Sequence, residues 1–400
     1  MDKFLEGLEE LHAQVSQEAA VLIDAQGDLV DTYLEVAAVE SVDREQGKVI
    51  IKHAPSLESY TPNMFTLFPT KTNYSVALEG FWDGMATIAG NIFEGIFKLI
   101  VGTLKLFVRP LTWLLGDGDN VGATSKARDA VEEMAKDESV AKMDKAELKE
   151  IVEEVVDGKP LNMWEFLFFK KFDADVFITM NEYVDGMYEF ILKTNADFIS
   201  NFEKIKGSTD STAEAHKLLF TTSKYNEELS KSSGKLLGIF KPIIVGIGNY
   251  TSSEDVANGF TTIKDAIAAK ESTATKESLV VEAIMGKLQN PDKLLGDLKD
   301  GLDFEKSDEG LLKATNGYHK SFDSMRDKTI KVVTTKLGDL ELEPEAVKQV
   351  RIALEMHTQV MQRSNQYISA VLGFSIKGKR AMLKAVNVYK KIYAASPKSE

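Results

Sequence analysis

"NIFEGIFKLIVGTLKLFVRPLTWLLG", residues Asn91 to Gly116, decides how the rest of the chain is read. Ile, Phe, Leu, Val and Trp fill most of it, as in a membrane span, yet a charge recurs at nearly every turn. On a helical wheel at about 100° per residue, Asn91, Glu94, Lys98, Gly102, Lys105, Arg109 and Thr112 fall within roughly 80°. Nearly every other position is apolar, so the segment is one helix with a narrow polar stripe. A lone membrane span is disfavoured, because Lys98, Lys105 and Arg109 would each cost about 2.5–3.5 kcal/mol near the bilayer centre. A surface helix is disfavoured too, since its apolar face normally spans only about 100°. The helix must be covered on most sides. Three covers are open: other helices of the chain, an assembly of copies or other proteins, or a bilayer entered by several copies whose stripes face a shared lumen. Just upstream, "EGFWDG" places Phe81 and Trp82 side by side between glycines. The candidate core or partner surface is therefore Phe81, Trp82, Ile92, Phe93, Ile96, Phe97, Ile100, Leu104, Phe107 and Trp113. Within the chain, the aromatic stretch from Trp164 to Phe202 is the nearest available cover.

Outward from this helix the patterning is mainly helical, an elongated multi-helix bundle around a central apolar helix. Residues 1–72 read as an acidic amphipathic helix (Phe4, Leu8, Leu11, Val15, Ala19), a short strand at Gly47–His53 and a loop rich in proline and aromatics. Residues 73–116 form the apolar helix, capped near Asn73 or Ser75 and stopped at "GDGDNVG" (Gly116–Gly122). Residues 117–343 form a helical body. It begins with the charged run Ser125–Val156, continues with an aromatic helix from Trp164 to Lys206, and adds helices at Ala213–Ser233, Ser253–Lys270, Ser278–Gln289 and Glu309–Leu337. Breaks are expected at Pro242, Pro291 and Pro344. At "TIKVVTT" (Thr329–Thr335) helix and strand compete. Residues 344–400 form a long C-terminal helix with Pro344 as its first residue.

The composition, 44% hydrophobic and 28% charged with no cysteine, is that of a folded chain and excludes disulfides, thiolate metal sites and a cysteine nucleophile. Catalytic signatures are missing. "GNIFEG" lacks the lysine of a phosphate-binding loop, and "GIGNYT" lacks the third glycine of a dinucleotide fingerprint. "DGDNVG" has Val121 and Arg128 where a calcium loop needs oxygen ligands, and "DAQGDLVDTYLE" has Leu29 at its turn position. The five histidines, His12, His53, His216, His319 and His357, show no metal-ligand spacing. His357 lies on the apolar stripe Val350, Leu354, Met361, Ile368 and reads as a core histidine. No catalytic residue, metal or cofactor is expected, and the chain reads as a non-enzyme.

Charge is uneven within the net −14. Residues 1–48 carry twelve acids against three bases, whereas residues 363–400 carry eight bases against one acid. Lys377, Lys379, Arg380, Lys384, Lys390 and Lys391 form the candidate anionic-partner surface, which would bind phosphate in a salt-sensitive way. The alternative is a basic face that counters acids of the same molecule.

"ALEGFWDGM" (Ala77–Met85) running into the striped helix, the acidic start, and "DGKPLNMWEF" (Asp157–Phe166) before a long tail with scattered Tyr and Lys resemble virion structural proteins of large tailed bacteriophages. That resemblance, to proteins of internal-head type, implies a non-enzymatic structural role. It implies assembly in the bacterial host cytoplasm, and as partners other virion proteins, copies of the chain, or packaged DNA at the basic end. Short Ser/Ala-x-Glu matches such as Ala77–Glu79 fit trimming by a prohead protease, but so short a pattern arises by chance. The competing class is a membrane-active helical protein resembling an α-type pore-forming toxin.

Overall fold

A computed structural model describes residues 74–117, 120–157, 166, 173–240, 252–268, 276–337 and 344–396. The acidic N-terminal helix, the Gly47–His53 strand and the Pro55–Pro69 loop lie outside those residues. The described fold is mainly α, as the periodicity predicts.

The chain runs α1 (Tyr74–Leu115), a hairpin of β1 (Gly116–Asp117) and β2 (Asn120–Val121), then α2 (Ala123–Ala135), α3 (Ser139–Lys142) and α4 (Lys145–Val156). It continues through α5 (Ala174–Gly207), α6 (Ser211–Phe240), α7 (Ser253–Ala268), α8 (Glu277–Leu288), α9 (Pro291–Gly301), α10 (Glu305–Leu337) and α11 (Pro344–Ala395). The chain divides into two compact units, and each draws on stretches far apart in sequence. Of the described residues, those within 74–105, 187–232 and 317–366 make up unit 1 and those within 106–186, 233–316 and 367–396 make up unit 2. Both units use α1, α5, α6, α10 and α11.

Local chemistry explains the boundaries. Gly116, at φ 99°, takes the left-handed conformation that ends α1 and opens the hairpin, so the expected break is also a turn back. Gly122 must be glycine, because a Cβ there would stand 2.3 Å from the carbonyl carbon of Leu115. The charged run after it divides into three helices rather than one. Its aspartates hold the helix starts: Asp144 caps α4, its Oδ1 accepting from Ala146 N (2.8 Å), and Asp137 Oδ1, one residue ahead of the α3 cap position, accepts from Ser139 N (2.9 Å). Before α7, Ser252 and Asp255 cap each other reciprocally, each backbone N–H donating to the other side chain at 3.1 Å. Pro291, expected only as a break, is the first residue of α9, with Asn290 accepting from Lys293 N at 3.1 Å.

"TIKVVTT" is helical within α10. Thr329 and Thr334 donate to the carbonyls of Met325 and Ile330, both at 2.7 Å, so their hydroxyls are satisfied inside the helix. Val333 is buried there, and packing outweighs strand propensity.

Candidate functional site

The striped helix is covered by its own chain. Ile92, Phe93, Ile96, Phe97, Leu99, Ile100, Leu104 and Phe107 are all buried, while on the stripe Asn91, Lys98, Lys105 and Arg109 are exposed and Glu94 is half-buried. In unit 1, Phe93 meets Phe198 of α5 at 6.1 Å between ring centroids, and Phe97 meets Phe322 of α10 at 6.5 Å. The cover from the aromatic stretch is thus present, with α10 and α11 added. Phe81 and Trp82 fall in the early turns of α1, and their side chains lie outside the described residues. Trp113 is 48% exposed, so it belongs to the surface and not the core. The Arg380 guanidinium stands 5.1 Å from its ring centroid.

The C-terminal cations do not form one surface. Lys384, Lys390 and Lys391 are exposed, Lys377 and Arg380 are half-buried, and Lys390 pairs with Glu133 at 3.1 Å. Lys379 is a correction to the basic-face reading. It is 0% exposed, and its ammonium donates to Asp308 Oδ1 of α10. An ammonium aimed into an apolar unit needs a counter-charge, and Asp308, itself 0% exposed, supplies it.

This ion pair sits in a built cluster of unit 2. Asn181 of α5 donates from Nδ2 to Asp308 Oδ1 (2.7 Å) and to Ser307 Oγ (3.1 Å). Lys379 Nζ lies 5.5 Å from the Phe177 ring centroid and 5.2 Å from that of Phe304. Those two rings meet edge to face at 5.4 Å. Burial pushes Lys379 below the usual lysine range, and the neighbouring Asp308 pulls it partly back.

A second polar layer, in unit 1, uses the same three helices. Asn195 of α5 donates to Thr329 of α10 (2.8 Å), and its Oδ1 faces His357 Nε2 of α11 at 3.1 Å. The His357 ring stacks on Phe198 at 4.2 Å with planes 3° apart. Burial alone drives its pKa down to about 3, so the ring is neutral at physiological pH. It is a core histidine, as its position on the stripe predicts.

The sequence reading missed Asn181, Asp308 and Asn195, although their positions carry a signal. Each sits where an apolar residue is due: Phe304 just before α10 with Asp308, Leu311 and Thr315 on it, and Phe177, Asn181, Val184, Tyr188, Ile191, Asn195, Phe198 on α5, alternate spacings of four and three. Lys379 follows the same rule between Ser375 and Met382. A polar residue in phase with the core stripe was the legible mark.

Elsewhere, a groove of about 540 Å³ between α4 and α8 gathers Glu153, Glu154, Asp157, Glu277 and Glu282, with Lys149 bridging to Glu153 at 3.5 Å. Among the described residues, no group of three His, Asp or Glu is placed to hold a metal ion, and no helix is long and apolar enough to cross a membrane. Comparisons with protein-family models, with curated proteins and with solved structures find no match.

Proposed function

We propose that the chain is a non-catalytic structural component of a tailed-bacteriophage virion, carried inside the head or with the genome-delivery apparatus. The observation that carries this reading is the direction of its polar chemistry. The titratable groups Asp308, Lys379 and His357 face inward and, together with the carboxamides of Asn181 and Asn195, engage side chains of other helices. They fix which helices pair and in what register, which is the work of a framework. The phage-like stretches at Ala77–Met85 and Asp157–Phe166 supply the setting. Exposed Lys384, Lys390 and Lys391 suit packaged DNA, and the remaining helical surface suits other virion proteins or further copies of the chain.

Mass spectrometry of purified particles tests the proposal: peptides of the chain are expected in virions at stoichiometric abundance. Presence in infected-cell lysate with absence from particles refutes it. A membrane-active role is the weaker reading, because the apolar face of α1 would have to leave the cover it already has. Dye release from liposomes by the purified protein would reverse that order.

A further inference from the structure

Within unit 2, an amine, a carboxylate and a carboxamide meet in one dry cluster. Lys379 and Asp308 are 0% exposed and Asn181 is 3% exposed. Both Lys379 Nζ and Asn181 Nδ2 donate to the same oxygen, Asp308 Oδ1. Phe177 and Phe304 cover the amine. Asp308 Oδ2 and Asn181 Oδ1 are left with no hydrogen-bond partner. As a purely non-covalent arrangement this is unfavourable, since a buried ion pair recovers its desolvation only when its remaining lone pairs are satisfied. The same arrangement has the parts of an amide-forming reaction: a nucleophile, an acyl group with a leaving nitrogen, and a proton carrier touching both.

We propose that Lys379 and Asn181 condense into an intramolecular isopeptide bond, with Asp308 carrying the protons. The Asp308 carboxylate takes a proton from the Lys379 ammonium and leaves a neutral amine. Burial favours that amine, since it holds Lys379 below its ordinary range. Nζ then adds to Cγ of Asn181. Asp308 hands its proton to Nδ2 and takes a second one from Nζ as the Cγ–Nδ2 bond breaks and ammonia departs. The ammonium, carboxylate and carboxamide become a secondary amide, a carboxylic acid and one ammonia. Atoms, protons and charge balance with no oxidant, metal or nucleotide. Both buried charges vanish, which removes the unfavourable term, and α5 becomes covalently tied to α11. The shared Asp308 oxygen keeps the amine and the carboxamide neighbours in a site that excludes water.

The test is the intact mass of the full-length protein together with peptide mapping under denaturing conditions. The expected result is a chain lighter by one ammonia and a branched peptide joining Lys379 to Asn181. A chain of full mass overturns the proposal. Loss of one water with a Lys379–Asp308 branch also overturns it, because Asp308 would then be the electrophile. Asp308→Asn keeps the shape and removes the proton carrier, so a folded protein of unreduced mass is expected. Should that variant not fold, Lys379→Met with Asp308→Leu replaces the pair by apolar groups and is the folded control. It should show full mass, and ammonia loss persisting there overturns the assignment. None of these outcomes depends on whether the protein is found in virions.

Discussion

His357 shows how one side chain can be both structural and reporting. Its ring lies flat on Phe198 and close to Phe93; Nε2 faces Asn195 Oδ1, but buried Nδ1 has no acceptor, so the neutral form fits and the imidazolium does not. Its folded pKa of about 3 lies below the ordinary 6.5. The unfolded chain therefore binds a proton that the folded chain refuses. The stability this group confers is complete above pH 6.5 and is lost as pH falls towards 3, by about 1.4 kcal/mol per pH unit at the steepest. Denaturant melts between pH 7 and pH 4 should show that slope, and His357→Phe should flatten it while lowering stability at neutral pH, because Asn195 loses a partner. An unchanged slope in His357→Phe would assign the acid sensitivity to other groups. The histidine was legible in the sequence as a core residue. Its partners were not, because Asn195 and Phe198 lie on another helix and no local pattern pairs them with it.

At the scale of an element, α1 makes the sharpest prediction. Ile100 is 0% exposed, so Ile100→Asp buries an unpaired carboxylate and should cost more than about 4 kcal/mol, leaving the protein unfolded or aggregated. Lys105→Ala on the exposed stripe should stay within about 0.5 kcal/mol of the parent. If Ile100→Asp stays folded and monomeric by circular dichroism and light scattering, intramolecular burial of α1 is wrong. Gly122→Ala probes the return of the chain after the hairpin. Its Cβ would meet backbone at 2.3 Å, which cannot move aside as a side chain would, and a lower melting temperature is expected. Helix existence was readable because a 3.6-residue apolar period survives whatever the partner. Helix ends were less so: the aspartates of the charged run, and Pro291, serve equally as helix residues or as caps until the neighbouring backbone is placed.

For the whole molecule, alkali should find a collective weakness. Burial pushes the hydroxyls of Tyr183, Tyr188 and Tyr389 above the usual tyrosine range, and burial with Asp137 and Asp292 nearby takes Tyr393 up to about 12. Each contributes stability that is full below pH 10 and lost as pH rises past that value, since the unfolded chain ionises first. Absorbance titration should show these phenols ionising together with loss of helix, and ionisation near pH 10 without unfolding would contradict their burial. What the sequence alone determined is the helical class, the striped α1, the long α11 from Pro344 and the core position of His357. Those follow from periodicity and capping, which act within a few residues along the chain. The compact units and the burial of Lys379 were decided by tertiary structure. Each unit draws on three separated stretches, and a lysine in a basic run reads as surface until Asp308, 71 residues away, supplies the charge that lets it stay inside.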